Sequence, residues 1–342
     1  MSREVDVPTL VAGARGGDPR AVARLISLVE DDSPVLRDVA SALAPYTGQA
    51  RLVGLTGAPG VGKSTTTSAL IGAYRARGLR VGVLAVDPSS PFSGGALLGD
   101  RVRMQEHATD PDVFIRSMAS RGHLGGLAWA TPQAVRVLDA ADCDVVLIET
   151  VGVGQSEVEV AALADTTVVL LAPGMGDAIQ AAKAGILEVG DVFAVNKADR
   201  DGADVTVREL RSMLALGRDS SAPERLSWRP PIVKTVASTG EGIDGLVAAI
   251  DDHDAWLEAT GGRAQRRRQR AEAEIEALAV EQTRRLLRSA AGSRMADLAD
   301  AVAQGRLDPY SAADRLRSVP DEQVGPDSVI AVIAAARPPE AG

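Results

Sequence analysis

Short apolar runs alternate with longer amphipathic segments through the middle of this chain of 342 residues. The runs are rich in valine, isoleucine and leucine without alternating polar positions, which is typical of strands buried on both faces of a parallel sheet. The segments between the runs carry apolar residues at helical spacing. Strands are therefore predicted at Leu52–Leu55, Val81–Val86, Val145–Ile148, Thr167–Leu171, Val192–Val195 and Ile232–Val236.

Helical segments separate these runs and extend the chain at both ends. Asp18-Pro19 and Ser33-Pro34 each combine a capping side chain with a proline in the first turn, so two short helices are expected before the sheet. We expect a helical extension over residues 1–48, an α/β domain over 49–260 and a helical arm over 261–342. Within the α/β domain, helices are predicted at Lys63–Arg77, Thr131–Ala141, Asp177–Glu188 and Asp204–Leu216.

A glycine-rich segment follows the first apolar run and consists of Gly57, Ala58, Pro59, Gly60, Val61, Gly62, Lys63, Ser64 and Thr65. Its glycines let backbone N–H groups turn inward around an anion, and the next helix contributes its positive end. Lys63 is expected to reach the terminal phosphates, and Ser64 to offer its hydroxyl to Mg²⁺. The setting between strand and helix predicts an α/β P-loop NTPase fold, a mostly parallel sheet with helices on both faces.

A second motif, Asn196–Asp199, closes the fifth apolar run. The Asp199 carboxylate can accept from both the ring N–H and the exocyclic amine of guanine, whereas adenine lacks that donor pair and would leave it unpaired. GTP or GDP is therefore favoured over adenine nucleotides. Asn196 can tie this loop to the phosphate loop, and the Lys197 stem can lie along the base. The turn expected to back the base contains Ala237 and Ser238.

Acidic residues follow the strands that flank the phosphate loop. Phosphoryl transfer needs a metal ion and well-placed acids more than covalent chemistry from the protein. Asp87 follows the second apolar run, Asp100 lies in the next Ser/Gly-rich segment, and Glu149 ends the third run. Because the carboxyl ends of parallel strands share one edge of a sheet, Asp87, Glu149 and Ser64 are predicted to form a Mg²⁺ site, which Asp100 could reach from its loop.

The segment after Glu149 has the features of a nucleotide-dependent switch. Many GTPases end this strand with aspartate, two residues and glycine, and here Glu149 and Gly152 hold those places. The Gly152 N–H can bind a γ-phosphate, so losing that phosphate would release the following loop. Gln155 either orients the attacking water or is a bystander. The predicted catalytic residues are Lys63, Asp87, Glu149 and Gln155.

Composition narrows the range of partners. A net charge of −9 disfavours nucleic acid and acidic membranes, because phosphate groups attract the opposite sign. Cys143 is the single cysteine, so an internal disulfide is excluded, and we expect it to be a small buried apolar residue in a cytoplasmic protein. The three histidines are widely spaced, which argues against a dedicated zinc or nickel site. No apolar run is long enough to span a membrane without a charge.

The arm over residues 261–342 is predicted to be helical and solvent-exposed. Arginines crowd Arg263–Arg270, and glutamates follow at Glu272, Glu274 and Glu276, which favours a helix with ion pairs on its surface. Such a segment has too little apolar surface to fold alone. We interpret it as an arm that dimerises with a second copy of the chain.

Taken together, these motifs resemble the MeaB/ArgK-type GTPases of the SIMIBI class, over nearly the whole chain. The string Glu149–Glu157 is the most specific part, and Asp87–Ser90, Gly94–Arg101 and the two nucleotide loops support it. The resemblance implies a homodimeric GTPase that acts as chaperone for an adenosylcobalamin-dependent acyl-CoA mutase, usually methylmalonyl-CoA mutase. GTP binding and hydrolysis would then gate cofactor loading and protect or reactivate the mutase.

The resemblance also implies a third switch that relays the state of the mutase. Asp177 and Lys183 fall in the matching segment, which lacks an extra acid and lysine that family members often show. A related mutase, acting on isobutyryl- or 2-hydroxyisobutyryl-CoA, therefore stays open as the client. A P-loop small-molecule kinase and a metal-insertion GTPase are the alternative functions.

Overall fold

The structure is a computed structural model and describes residues 5–31, 33–88, 106–120, 130–150, 162–174, 186–216 and 228–317. Its strands are β1 (Arg51–Thr56), β2 (Val81–Pro88), β3 (Val113–Ser120), β4 (Val145–Thr150), β5 (Thr166–Leu171), β6 (Val192–Val195) and β7 (Ile232–Lys234). They form one sheet in the order β3-β2-β4-β1-β5-β6-β7, and each neighbouring pair is parallel. The predicted α/β fold with a mostly parallel sheet is confirmed.

The described helices are α1 (Val7–Arg15), α2 (Pro19–Glu30), α3 (Leu36–Leu43), α4 (Lys63–Ala76), α5 (Ala130–Ala140), α6 (Ile186–Val189), α7 (Ala203–Leu216), α8 (Ile243–Thr260), α9 (Gly262–Ala303) and α10 (Pro309–Arg317). Gly292 interrupts α9 with a φ of 44° and a ψ of −129°. Among the helices that the structure describes, none combines the length and apolarity needed to cross a bilayer.

Two elements were not expected from the sequence. Helix α1 is capped by Asp6, whose carboxylate accepts from the Thr9 backbone N–H at 3.1 Å. Strand β3 is the edge strand beside β2, and Arg116 interrupts its apolar pattern. The Arg116 guanidinium donates to Glu30 and to the Ser27 hydroxyl of α2, so the polar position serves a contact that the local pattern does not show.

Some predicted boundaries are wrong by a few residues. Helix α3 begins at Leu36 and has no side-chain cap. Ser33 contributes its backbone carbonyl instead of its hydroxyl, and this carbonyl accepts from Leu36 N at 2.9 Å. Thr131 lies inside α5 and does not precede it. The seventh strand already ends at Lys234, and the predicted cap at Asp177 lies outside the described residues.

Helices cover both faces of the sheet. On one face α1, α2, α3 and α5 share a core with β2 and β4, in which Leu25, Leu84, Leu138 and Ile148 are fully buried. On the other face α4 and α8 pack on β1, β4 and β5. Helix α7 packs on the first face, against Phe193 and Val195 of β6, whose side chains point away from α4 and α8. The N-terminal helices are therefore part of the same core as the sheet, and contacts place Met1–Arg266 in one compact unit.

A buried polar cluster lies at the amino-terminal ends of β5 and β6. His253 of α8 is fully buried, with Nδ1 2.9 Å from Thr166 Oγ1 and Nε2 3.3 Å from Asp191 Oδ1. Arg266 donates to both Asp191 oxygens at 2.9 and 2.8 Å, and the Trp228 ring lies 4.7 Å from the imidazole between centroids. Burial lowers the pKa of His253 to about 4; the positive charge of Arg266 acts in the same direction, while Asp191 opposes it.

The second compact unit is Arg267–Gly342, of which residues 267–317 are described. It contains most of α9 and all of α10, and none of its described side chains is buried. Ion pairs follow the helix surface, as between Arg268 and Glu272 at 3.6 Å and between Arg285 and Glu281 at 3.0 Å. The expected helical, ion-paired character of this region is confirmed for the residues described.

Candidate functional site

A glycine loop, Gly57–Gly62, connects the central strand β1 to α4. Gly57 has a φ of 141°, and a Cβ there would collide with the Leu170 carbonyl of neighbouring β5. Gly62 has a φ of 98°, and a Cβ there would collide with the Asn196 amide. Only glycine satisfies both the backbone angle and the close approach, so the loop shape follows directly from the sequence.

Lys63 is the first residue of α4, and its ammonium lies against the loop. The Nζ atom donates to the Gly57 carbonyl at 2.7 Å and to the Ala58 carbonyl at 3.1 Å, and the residue is 7% exposed. These carbonyls hold the positive charge over the turn and at the N-terminal end of the helix. Both features favour a bound anion.

Ser64 and Glu149 meet beside the loop. Ser64 Oγ donates to Glu149 Oε1 at 2.7 Å, and Thr67 Oγ1 donates to Glu149 Oε2 at 2.8 Å. Glu149 is 2% exposed and lies near the carboxyl end of β4, next to β1 in the sheet. A buried carboxylate and a hydroxyl are oxygen ligands of the kind that Mg²⁺ prefers, so this pair fits the ion predicted from the sequence.

Thr67 was missed by the sequence reasoning. It lies three residues after Ser64 in α4, so both side chains lie on the same face of the helix. That spacing was the available signal, but it becomes informative only when β4 brings Glu149 to the same face.

Asn196 joins three loops at the carboxyl edge of the sheet. Its Nδ2 donates to the Val61 carbonyl of the phosphate loop at 2.8 Å. Its Oδ1 accepts from the Ala237 backbone N–H at 3.1 Å and from Thr235 Oγ1 at 3.3 Å. The predicted tie between the second motif and the phosphate loop is confirmed, and the turn after β7 belongs to the same assembly.

Lys197 and Asp199 lie on the outer side of this assembly. Lys197 has a φ of 56°, and its Nζ donates to the Gly60 carbonyl at 2.6 Å. Asp199 is exposed, as is Ser238, whereas Ala237 between the loops is buried. The Asp199 carboxylate is therefore accessible to a ligand lying over the phosphate loop and the Ala237–Ser238 turn.

Several predicted site residues cannot be placed by their side chains. The backbone of Asp87 pairs with Ala119 at the end of β2, which puts it at the same sheet edge, but its side chain lies outside what the structure describes. The other predicted residues outside the described ranges are Asp100, Gly152, Gln155, Asp177 and Lys183. Thr65, in contrast, is described by the structure and lies in the first turn of α4.

The geometry defines a P-loop nucleotide-binding protein in which the loop after β6 is tied to the phosphate loop through Asn196. The family model described as methylmalonyl Co-A mutase-associated GTPase MeaB matches residues 22–292. The chain belongs to this MeaB family. It is a GTPase, which binds guanine nucleotide and hydrolyses GTP.

Individual relatives agree with this assignment. A relative from Pyrococcus horikoshii is 49% identical over 308 residues, which are 90% of this chain and 96% of the relative. The mitochondrial methylmalonic aciduria type A homolog of Mus musculus is 35% identical over 282 residues, covering 76% of this chain and 66% of that protein. A solved structure of an LAO/AO transport system kinase superposes with a TM-score of 0.68 at 28% identity, covering 92% of this chain and 98% of its own.

Proposed function

We propose that this GTPase gates the loading of adenosylcobalamin into an acyl-CoA mutase and protects or reactivates that mutase. The observation that carries the proposal is the family match over residues 22–292, because the family is described by its association with methylmalonyl-CoA mutase. The mouse relative, named for methylmalonic aciduria, supports the same client. Methylmalonyl-CoA mutase or a close relative is therefore the proposed partner, and the buried, unpaired Cys143 suits a cytoplasmic setting.

The described residues divide the work of GTP binding. Lys63 would exchange its two loop carbonyls for phosphate oxygens, since its Nζ already lies inside the turn. Ser64 and Glu149 would hold Mg²⁺, which neutralises charge on the phosphate oxygens when bound. The hydrogen bond from Ser64 to Glu149 leaves the serine oxygen with lone pairs for that ion.

The remaining predicted residues complete the proposed switch machinery. Asp87 and Asp100 are assigned to the metal and water shell, Gly152 to the γ-phosphate and Gln155 to the attacking water. Asp177 and Lys183 are assigned to the segment that relays the state of the mutase. These roles follow from the motif positions in the sequence, and Asp87 has in addition the support of its place at the end of β2.

Base selection by Asp199 is tested by exchanging its acceptor oxygen for a donor. In Asp199→Asn we expect at least about tenfold weaker GDP binding, because the guanine amine and ring N–H lose a charged acceptor. Xanthosine diphosphate, which carries a carbonyl in place of that amine, should gain affinity. Calorimetry with GDP, ADP and xanthosine diphosphate measures the three affinities. Unchanged preference for GDP would overturn the role of Asp199.

The partner is tested by hydrolysis. GTP turnover is expected to be slow for the protein alone and to rise when an adenosylcobalamin-dependent mutase is added, since no arginine finger is evident in the sequence. Lys63→Ala is the control, because its turnover should stay at background with or without mutase. Mutase that neither stimulates turnover nor changes its cobalamin loading with GTP would contradict the proposal. Phosphate transferred to an added acceptor would favour a kinase.

We also propose that the second unit forms a homodimer. Its described helices expose Ile275 by 65%, Val280 by 53% and Met295 by 42%, and a groove between α9 and α10 is lined by further apolar residues. A second copy would cover this surface with the same patch of its own helices, as a two-fold symmetric dimer requires.

Sedimentation across protein concentrations tests the dimer. Ile275→Ser should weaken self-association about a hundredfold, because each of the two copies loses an apolar side chain whose desolvation contributes on the order of 1.5 kcal/mol. Val205→Ser is the matched control, since Val205 is 46% exposed but lies on α7 in the first unit. Equal effects of both substitutions, or a monomer at every concentration, would contradict the dimer.

A further inference from the structure

Thr67 holds the oxygen of Glu149 that Ser64 does not. Glu149 Oε1 accepts from Ser64 Oγ at 2.7 Å, and Oε2 accepts from Thr67 Oγ1 at 2.8 Å. Thr67 is fully buried, and Glu149 and Ser64 are 2% and 6% exposed. The carboxylate is thus fixed at both oxygens by two hydroxyls of one helix, away from competing water.

The Thr67 hydroxyl has a second acceptor within reach, the Lys63 carbonyl at 3.1 Å. A hydroxyl has a single hydrogen, so it donates to only one of the two. The carboxylate is closer and charged, and charge-assisted hydrogen bonds are the stronger ones. The bond to Glu149 therefore takes the hydrogen.

The length of the acid explains why a second hydroxyl matters. Glutamate has one methylene more than the aspartate that many GTPases use at this strand end, and its side chain has one more rotatable bond to immobilise. Two hydroxyls one turn apart on α4 fix that longer side chain. An aspartate would be shorter by about 1.5 Å and could not keep both bonds without movement of the backbone.

We propose that Thr67 is a positioning residue for GTP hydrolysis, acting through Glu149. The hydrogen bond from Thr67 to Oε2 orients the carboxylate so that Oε1 accepts the hydrogen of Ser64. Because that hydrogen points at Glu149, the serine oxygen would bind Mg²⁺ through a lone pair. The proposal rests on the assignment of Ser64 and Glu149 to the metal site, and it is independent of the mutase.

The neighbouring Thr66 provides a matched control. It is also fully buried on α4, but its hydroxyl donates to the Gly62 carbonyl at 3.0 Å and bonds to no acid among the described residues. Thr67→Val and Thr66→Val remove one hydroxyl each from equally buried positions of nearly the same shape. Thr67→Ser restores the hydroxyl alone.

The experiment measures GDP affinity across a Mg²⁺ titration, so that no turnover is needed. We expect Thr67→Val to raise the Mg²⁺ concentration required for tight GDP binding about tenfold, the loss typical of one hydrogen bond to a charged group. GDP binding in EDTA should change less than about twofold. Thr67→Ser should behave as wild type and so should Thr66→Val. In turnover, Thr67→Val should lower kcat more than it changes KM.

Two further variants separate the possible failures. Glu149→Gln that leaves the Mg²⁺ dependence unchanged would overturn the metal assignment of the site itself. Glu149→Gln that changes it, beside a Thr67→Val that does not, would overturn the role of Thr67 alone. Glu149→Asp should raise the Mg²⁺ requirement at least as far as Thr67→Val does, and adding Thr67→Val to it should cost less than the sum of the two, because the shorter acid cannot keep both hydroxyl bonds. Additive losses in the double variant would contradict the proposal even if Thr67→Val alone folded poorly.

Discussion

The two compact units of this chain form helices equally well but bury their side chains very differently. In Met1–Arg266, three clusters of buried apolar residues surround the sheet. In residues 267–317 of the second unit, no described side chain is buried, and large apolar residues face outward. Helix-forming residues and surface ion pairs are thus enough to specify α9 as a helix. The first unit, in contrast, gains its stability in water mainly from the burial of apolar side chains. The comparison predicts that similar substitutions will have very different effects in the two units.

The largest difference is expected for truncation of apolar side chains. Phe193→Ala in β6 removes a fully buried ring and should lower the free energy of unfolding by about 3–5 kcal/mol. Ile275→Ala in α9 removes an exposed side chain and should change it by about 0.5 kcal/mol or less in dilute protein. Urea unfolding of both variants measures the contrast. Comparable losses would show that the second unit has a core of its own.

The next effect is the acid sensitivity of the first unit. The pKa of His253 in the folded protein, about 4, lies below its ordinary value of 6.5. The unfolded chain therefore binds a proton that the folded chain refuses, so this residue's contribution to stability is complete above pH 6.5 and is lost as the pH falls to 4. The loss is on the order of 3 kcal/mol.

His253→Gln should remove this dependence while keeping a polar partner for Thr166. We expect the difference in unfolding free energy between pH 7 and pH 4.5 to be smaller in the variant than in the wild type. Urea unfolding at the two pH values gives that difference. Identical pH dependence would mean that His253 is protonated equally in both states.

The smallest contrast concerns ion pairs. Arg266→Gln removes two hydrogen bonds to Asp191, whose side chain is 11% exposed, and should cost about 2 kcal/mol. Arg285→Gln removes the bond to Glu281, in which the arginine is 56% exposed, and should cost about 0.5 kcal/mol or less. Thermal unfolding at low and high salt measures both costs. The cost of Arg285→Gln should become smaller as the salt concentration rises, whereas the cost of Arg266→Gln should not depend on salt. Equal costs would argue that the exposed pair is also shielded from water.

The sequence predicted correctly those features that depend on neighbouring residues or on recognisable motifs. The apolar runs predicted six of the seven strands, because a strand buried on both faces must be apolar throughout. The phosphate loop followed from glycines whose positive φ other residues rarely adopt. The tie from Asn196 to that loop was also anticipated, since both motifs follow parallel strands and must meet at one edge.

By itself, then, the sequence determined the parallel α/β sheet, the phosphate loop with its tie to Asn196, and the helical, charged character of the second unit. Only the tertiary structure decided that Arg116 of an edge strand reaches α2, that Thr67 fixes Glu149 and that His253 is buried beside Asp191. The physical reason is that these contacts join distant residues without a motif that marks both partners: Thr67 and Glu149 are 82 residues apart, and Thr67 belongs to no motif. Their contact exists because strand register and helix packing place them together, and no local pattern records those.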